Sequence, residues 1–294
     1  MSATQNTIHI LGAGSIGLLW ACRLVELGVT PTLITRQPAS NLHIHRTENN
    51  KTENFQLDAV STSDIFSINF LLITTKAHQT QSAVLSIKQQ IRPDAIIVLL
   101  QNGMGNGEWL VEQFPTAKIY LGTTTDGVFR TEKTAFTLAG VGETYFGPFT
   151  ANANKEGIEL LLTADKNTFW DNNINAKLWQ KLAVNCVINP LAALYECKNG
   201  ELITHPDYFS HFKIIAAETQ TAFQSLHIPT PQPSLLEFAK RIAEKTAANI
   251  NSMLADKHAG SGTEIDFILG YLLSKLDATQ FPHLQTLYQV NKTF

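Results

Sequence analysis

Lys181, Asn185 and Asn189 stand four residues apart in an otherwise apolar run from Trp179 to Leu194. Residues at i, i+4 and i+8 share one face of a helix. A helix that is apolar nearly all round is normally buried, and a buried ammonium or carboxamide is costly without partners. A cleft holding a polar ligand would supply partners; so would a structural stripe set against neighbouring backbone. Pro190 in the same run frees the carbonyl of Cys186 and is expected to kink the helix. The chemistry open to such a face is proton delivery to a carbonyl oxygen that gains negative charge. A lysine, with a reference pKa of about 10.4, is protonated at neutral pH and can both stabilise that charge and donate the proton. Asparagine and serine are neutral donors for a neighbouring carboxylate.

A second constellation lies near the start. Gly12-Ala13-Gly14-Ser15-Ile16-Gly17 follows a short apolar run, Ile8 to Leu11, and opens a helical pattern. In that context the spacing points to a dinucleotide-binding turn. Gly12 permits the tight turn, Gly14 lets the backbone approach a pyrophosphate, and Gly17 lets the helix pack on the strand. Ala13, Ser15 and Ile16 complete the loop, whose N–H groups face the phosphates at the helix N-terminus. The next strand ends in Thr35-Arg36-Gln37, with no acid to take a ribose 2′-hydroxyl. Arg36 can instead pair with a 2′-phosphate, so the expected cofactor is NADPH. Lys76 and Asn102 each follow a predicted strand of the same sheet, where open parallel sheets bind ligands. Either could equally be a plain turn residue.

These residues need a scaffold. Strand signals at Ile8–Leu11, Thr32–Thr35, Ile68–Thr74, Ala95–Leu100 and Lys118–Thr123, three of them near-continuous apolar runs, alternate with helical patterns at Ser15–Leu27 and Gln79–Ile91. That order predicts a Rossmann-type, doubly wound α/β domain. Phe136–Leu138 and Thr144–Phe146 read as a hairpin at the sheet edge. The polar stretch Asn41 to Asn54 reads as an insert, with no role assigned. From about Asn173 helical patterns take over, at Asn173–Tyr195, Pro206–Leu226, Leu235–Asn249, Glu264–Leu276 and His283–Val290. The expected division is residues 1–168 as the cofactor domain and 169–294 as an all-α substrate domain.

Composition narrows the function classes. The 294 residues are 44% hydrophobic and 16% charged with net charge -3, an ordinary globular balance. No basic run suggests nucleic-acid binding, and no apolar stretch approaches the roughly 20 residues of a membrane span. Met1 to Thr7 lacks a signal-peptide pattern, which points to the cytoplasm. Cys22, Cys186 and Cys197 fit no metal or redox spacing and are expected to be buried, reduced thiols, with no metal site. Near the end, Thr263 and Asp266 could form a capping box around Glu264, which then reads as a solvated acid favoured by the helix dipole.

Together these segments resemble the ketopantoate reductase (2-dehydropantoate 2-reductase) family over essentially the whole chain. The likeness rests on the glycine turn, Thr75-Lys76-Ala77, Leu100-Gln101-Asn102-Gly103-Met104-Gly105 and Gly122-Thr123-Thr124-Thr125. It extends through Lys181–Leu191, Asn199-Gly200-Glu201-Leu202, Ser252–Asp256 and Thr263-Glu264-Ile265-Asp266. The resemblance implies a helical second domain like the C-terminal domain of 6-phosphogluconate dehydrogenase. It also implies reduction of ketopantoate to (R)-pantoate with NADPH, by a monomer or homodimer. It makes Lys181 the general acid and Glu264 the acid that binds the substrate hydroxyl. It places Asn102, Asn185, Asn189, Asn199 and Ser252 at the substrate, with Arg36 at the 2′-phosphate. Lys76, Asn102 and Glu264 then stand where cofactor meets substrate. Asp126 and Phe129 depart from the expected pattern after Thr123-Thr124-Thr125. The other readings are a reductase of a different small 2-keto acid and a non-catalytic NADPH sensor, which would have no use for Lys181 with Glu264.

Overall fold

Short, fully buried β1 (Ile8–Leu11) sits mid-sheet between β2 (Thr32–Ile34) and β5 (Ile68–Ile73), parallel to both. β6 (Ile91–Leu100) and β7 (Lys118–Thr124) continue the parallel core. Continuous apolar runs suit strands covered on both faces. A computed structural model describes residues 7–36 and 38–294; Met1–Asn6 and Gln37, the last residue of the Thr35-Arg36-Gln37 segment, lie outside the described residues.

The chain divides into two units. One is formed by residues up to Gln101 with Asn106–Asn175, the other by Asn102–Gly105 with Ala176–Phe294. The first unit extends past the expected limit at 168 because β11 (Thr168–Trp170) pairs with β10 (Thr144–Pro148) and belongs to the sheet. The expected boundary also gave no sign that Asn102–Gly105 would group with the later residues.

Among the described residues the first unit is a mixed sheet of eleven strands with helices. The remaining strands are β3 (Ala39–Glu48), β4 (Lys51–Val60), β8 (Gly127–Glu132) and β9 (Ala135–Gly140). The order is β11-β10-β7-β6-β5-β1-β2-β4-β3-β9-β8. The polar stretch Asn41 to Asn54 is an antiparallel hairpin, β3 against β4, turned by Asn49 and Asn50 at φ 48° and 61°. Two successive residues of positive φ make the hairpin turn that matches strand twist, and asparagine tolerates it.

The expected hairpin of Phe136–Leu138 with Thr144–Phe146 does not form. β9 pairs with β8 and β3, and β10 pairs with β7 and β11, near opposite ends of the order. The link between β9 and β10 instead runs beside the link between β7 and β8. Thr125 N donates to Glu143 O at 2.9 Å, and Gly142 N donates to Asp126 Oδ1 at 2.9 Å. The sheet therefore curls around α1 (Ser15–Glu26), which packs against β1, β3 and β8 while Trp20 meets Phe146 of β10 edge-on at 5.2 Å. This explains why α1 is buried continuously from Gly17 to Leu24. Arg23, also buried, is held there by Asp126 at 2.8 Å and by Asp165. Burial raises the Asp126 pKa, but the Arg23 guanidinium, Gly142 N–H and Thr124 hydroxyl outweigh it and hold the carboxyl below its ordinary range. α2 (Ala77–Leu85), α3 (Asn106–Gln113) and α4 (Glu159–Thr163) also belong to this unit.

The second unit is helical, built around α5 (Ile174–Tyr195), whose first residues close the first unit. Around it lie α6 (Glu201–Thr204), α7 (Pro206–Ser225), α8 (Leu235–Lys245), α9 (Ser252–His258), α10 (Tyr271–Ser274) and α11 (Pro282–Asn291). Their shared core includes Cys186, Val187, Leu191, Phe212, Phe223, Leu269 and Leu284. α5 runs through Pro190, whose carbonyl accepts from the buried Asn291 amide at 3.3 Å. The helix expected at Glu264–Leu276 begins as a π-helical turn, Asp266–Gly270, before α10. Asp266 makes no capping box with Thr263: it accepts from Tyr288 Oη at 2.7 Å and pairs with Lys292 at 3.3 Å. All three cysteines are buried and free, and burial pushes the Cys22 thiol up to about 12. No helix among the described residues is long and apolar enough to cross a membrane.

Candidate active site

In the first unit the chain leaves β1 into Gly12, at φ +109°, a left-handed backbone that glycine alone adopts readily. A Cβ there would stand 2.8 Å from Thr75 N, and a Cβ on Gly17 would stand 2.0 Å from Gly12 O. Thr74 Oγ1 donates to Gly12 O at 2.8 Å and ties the turn to the end of β5. Both glycines are thus demanded by the chain's own packing. Gly14 is different. Its φ of -75° suits any residue, and a Cβ on it would meet nothing within 4 Å. It precedes a helix with no acid in its first turn, so the N-terminal N–H groups and their partial positive charge are uncompensated. This is a cradle fit for a phosphate that approaches the backbone closely.

A polar network ties the ends of β5 and β6 together. Thr75 and Thr80 share a hydroxyl contact at 2.8 Å, Thr80 donates to Lys76 O at 3.1 Å, and Gln101 Nε2 reaches Thr80 at 2.9 Å. Buried Asn106 donates to Gln101 Oε1 at 2.8 Å and to Ala77 O at 2.9 Å. The network fixes the half-buried Lys76 at the start of α2. Arg36 is exposed, next to Thr35, whose N–H bonds Val60 O at 3.0 Å.

In the second unit, Lys181, Asn185 and Asn189 lie along α5. Lys181 and Asn185 are half-buried, while Asn189 is only 8% exposed. Glu264 is buried and accepts from Asn102 Nδ2 at 3.4 Å. The π-helical turn that begins two residues after Glu264 lies against the segment that carries Asn102. Met104 N donates to Phe267 O at 2.8 Å, and Gly103, at φ +79°, lies so close that a Cβ would be 2.6 Å from that oxygen. π-Turns recur at functional sites because they redirect a carbonyl or side chain.

Asn199 has a different environment. It is 6% exposed, its amide donates to Thr246 Oγ1 at 2.9 Å, and its Oδ1 accepts from Asn251 at 3.2 Å. Its backbone N–H bonds Asn249 O at 3.1 Å. It therefore clasps the loop between α8 and α9. Ser252 is the exposed first residue of α9, capped by Asn251, which accepts from Leu254 N at 3.1 Å. Reading the residues in order missed Thr74, Thr80, Gln101 and Asn106. Thr74 and Gln101 are the first polar residues after their apolar strands, whereas Thr80 and Asn106 belong to the helices that follow, where only the fold brings them to the strand ends.

Residues 8–151 match the model of the ketopantoate reductase PanE/ApbA family, and residues 173–293 match its C-terminal model. The chain belongs to the ketopantoate reductase family. The 2-dehydropantoate 2-reductase of Vibrio cholerae is 32% identical over 97% of either chain. That of Shigella flexneri is 35% identical over 92% of this chain and 88% of its own. The crystal structure of a probable 2-dehydropantoate 2-reductase from Bacillus subtilis aligns with a TM-score of 0.80 at 31% identity, covering 98% of this chain and 99% of that one. In ketopantoate reductase terms, the glycine cradle and Lys76 lie in the stretch matched by the first model. Lys181, Asn185, Asn189, Asn199, Ser252 and Glu264 lie in the stretch matched by the second.

Proposed function

We propose that this protein reduces 2-dehydropantoate (ketopantoate) to (R)-pantoate with NADPH, a step of pantothenate and coenzyme A biosynthesis. Family membership across both units carries the reading. The residues present also fit the cofactor. The cradle at Gly12–Gly17 is open where Gly14 would otherwise carry a side chain. Arg36 is exposed and available for a 2′-phosphate.

When bound, NADPH supplies the hydride that reaches the C2 carbonyl carbon. The chain's own residues do the rest. Lys181 is assigned as the general acid: its ammonium stabilises the charge growing on the keto oxygen and gives up a proton to it, leaving an alcohol and a neutral amine. Asn185 and Asn189, on the same face of α5, are assigned to the substrate's polar groups as neutral donors that leave the lysine's charge intact. Buried Glu264, held by Asn102, is assigned to the substrate hydroxyl, which would donate to its carboxylate. Lys76 is assigned to the cofactor, and Ser252 and Asn199 to the substrate. For Asn199 the contacts with Thr246 and Asn251 favour an effect through the 246–251 loop. The protein works in the cytoplasm as a monomer or homodimer.

The test is NADPH oxidation by the purified protein with ketopantoate, beside NADH and other 2-keto acids. NADPH-selective turnover of ketopantoate is expected. Tight NADPH binding with turnover of a different keto acid alone would withdraw the substrate, and no dinucleotide binding would withdraw the reading.

A further inference from the structure

Arg130 lies on β8, the terminal strand of the sheet order, yet it grips the glycine turn that follows β1. Its Nη2 donates to the carbonyl of Ala13 at 2.9 Å and also to the carbonyl of Lys133, while Nε donates to the carbonyl of Glu132 at 3.1 Å. Every acceptor is a backbone carbonyl. Among the described residues no carboxylate pairs with this guanidinium, whereas Arg23, Arg46 and Arg92 each hold at least one. Glu132, two residues along the strand, offers Arg130 only its backbone. Partial loss of water pushes the Arg130 pKa below its ordinary value with no acid to offset it, though a guanidinium stays charged at any working pH.

The cation is fastened to Ala13, between the glycine that makes the turn and the glycine whose side-chain space is open. The turn's own N–H groups already favour an anion. A fixed guanidinium beside them, with no carboxylate partner among the described residues, adds a charge that a phosphate would complete. We propose that Arg130 is a second anion contact of the dinucleotide cradle, acting on the pyrophosphate rather than on the 2′-phosphate assigned to Arg36. This rests on the NADPH reading above. It divides the work: Arg36 would discriminate between cofactors, and Arg130 would strengthen both alike.

The test is binding of NADPH and of NADH to wild type, Arg130→Gln and Arg36→Ala, followed by nucleotide fluorescence at several salt concentrations. Arg130→Gln should weaken both nucleotides by the same factor, about tenfold, as expected for loss of one charge-assisted contact. It should also flatten the salt dependence of NADH binding, which a merely structural brace would not. Arg36→Ala should weaken NADPH alone. Unchanged binding in Arg130→Gln, or loss confined to NADPH, would overturn the proposal. Should Arg130→Gln lower the melting temperature of the free protein, Arg130→Lys decides. It keeps the charge, so a wild-type salt dependence supports the proposal and a flattened one overturns it. If the wild type binds neither nucleotide, the NADPH reading itself fails.

Discussion

Replacing Gly14 with alanine separates what the chain needs from what a ligand needs. Gly14 sits at φ -75° and a methyl group there would meet no atom within 4 Å. Removing glycine's freedom in the unfolded chain favours the variant by roughly 0.4–1 kcal/mol. Alanine is a poorer N-cap than glycine, which costs up to about 1 kcal/mol. The two effects nearly cancel, so melting should move by no more than about 2–4 °C in either direction. Dinucleotide binding should suffer far more. The methyl would fill the space beside the N–H groups of α1, and each charge-assisted hydrogen bond lost there is worth about 1.5–3 kcal/mol. Affinity for NADPH should therefore fall at least about tenfold. Gly17→Ala is the control. Its Cβ would stand 2.0 Å from Gly12 O and 2.6 Å from Thr74 Oγ1, so that variant should lose several degrees of melting temperature. Thermal melts without cofactor and NADPH titrations decide the matter. A Gly14→Ala protein that binds NADPH like the wild type would refute the cradle, and one that melts as poorly as Gly17→Ala would refute the claim that the chain does not need this glycine.

Lys181→Ala should cost about 10²–10⁴-fold in kcat, and a loss of only a few-fold would move the acid elsewhere; Glu264→Ala should impair turnover and raise KM for ketopantoate while leaving NADPH affinity intact. Arg36→Ala should erase the preference for NADPH over NADH, and an unchanged ratio would remove Arg36 from the 2′-phosphate. Asp126 is held below its ordinary pKa chiefly because Arg23 outweighs its burial, so its stabilisation is present above about pH 4 and is lost as pH falls through the lower folded value. Asp126→Asn should therefore flatten the acid limb of a melting-temperature profile and cost about 3 kcal/mol at neutral pH, at the low end for a broken buried pair because Asp165 still holds Arg23; an unchanged acid limb would show that the pair is not the acid-sensitive element. Asn199→Ala should lower melting temperature because it releases Thr246 and Asn251, whereas Asn189→Ala should raise KM with a smaller change in stability, and the reverse pattern would exchange their assignments.

The parallel core was legible because β1, Phe70–Ile73 of β5 and Ala95–Leu100 of β6 are almost wholly buried, and strand segments covered on both faces are apolar without interruption. β3 and β4 escaped because half of their side chains are exposed and few are buried, which leaves their runs polar; the Asn49-Asn50 turn was the available signal. The mistaken hairpin of β9 with β10 has a different cause. Local spacing proposes pairing between neighbours in sequence, but the curl of the sheet around α1 is set by distant contacts such as Trp20 with Phe146 and Arg23 with Asp126. Gly142 then serves a close crossing, since a Cβ there would be 2.3 Å from the backbone of Thr125.

The same distinction governs the site. Burial of a polar residue shows that something must satisfy it, and sequence alone does not say what. Asn189 and Asn199 are buried almost equally, at 8% and 6% exposed, and both were read as ligand contacts. The structure gives Asn199 to a loop through Thr246 and Asn251. Glu264 shows the opposite outcome. Helix-capping logic made it a solvated acid, yet it is buried and meets Asn102, 162 positions away. The connection is made by backbone, Met104 N on Phe267 O, at a π-turn whose widened geometry leaves no periodic trace in side-chain type. A resemblance carried by whole segments could name both residues; only the fold shows that one depends on the other.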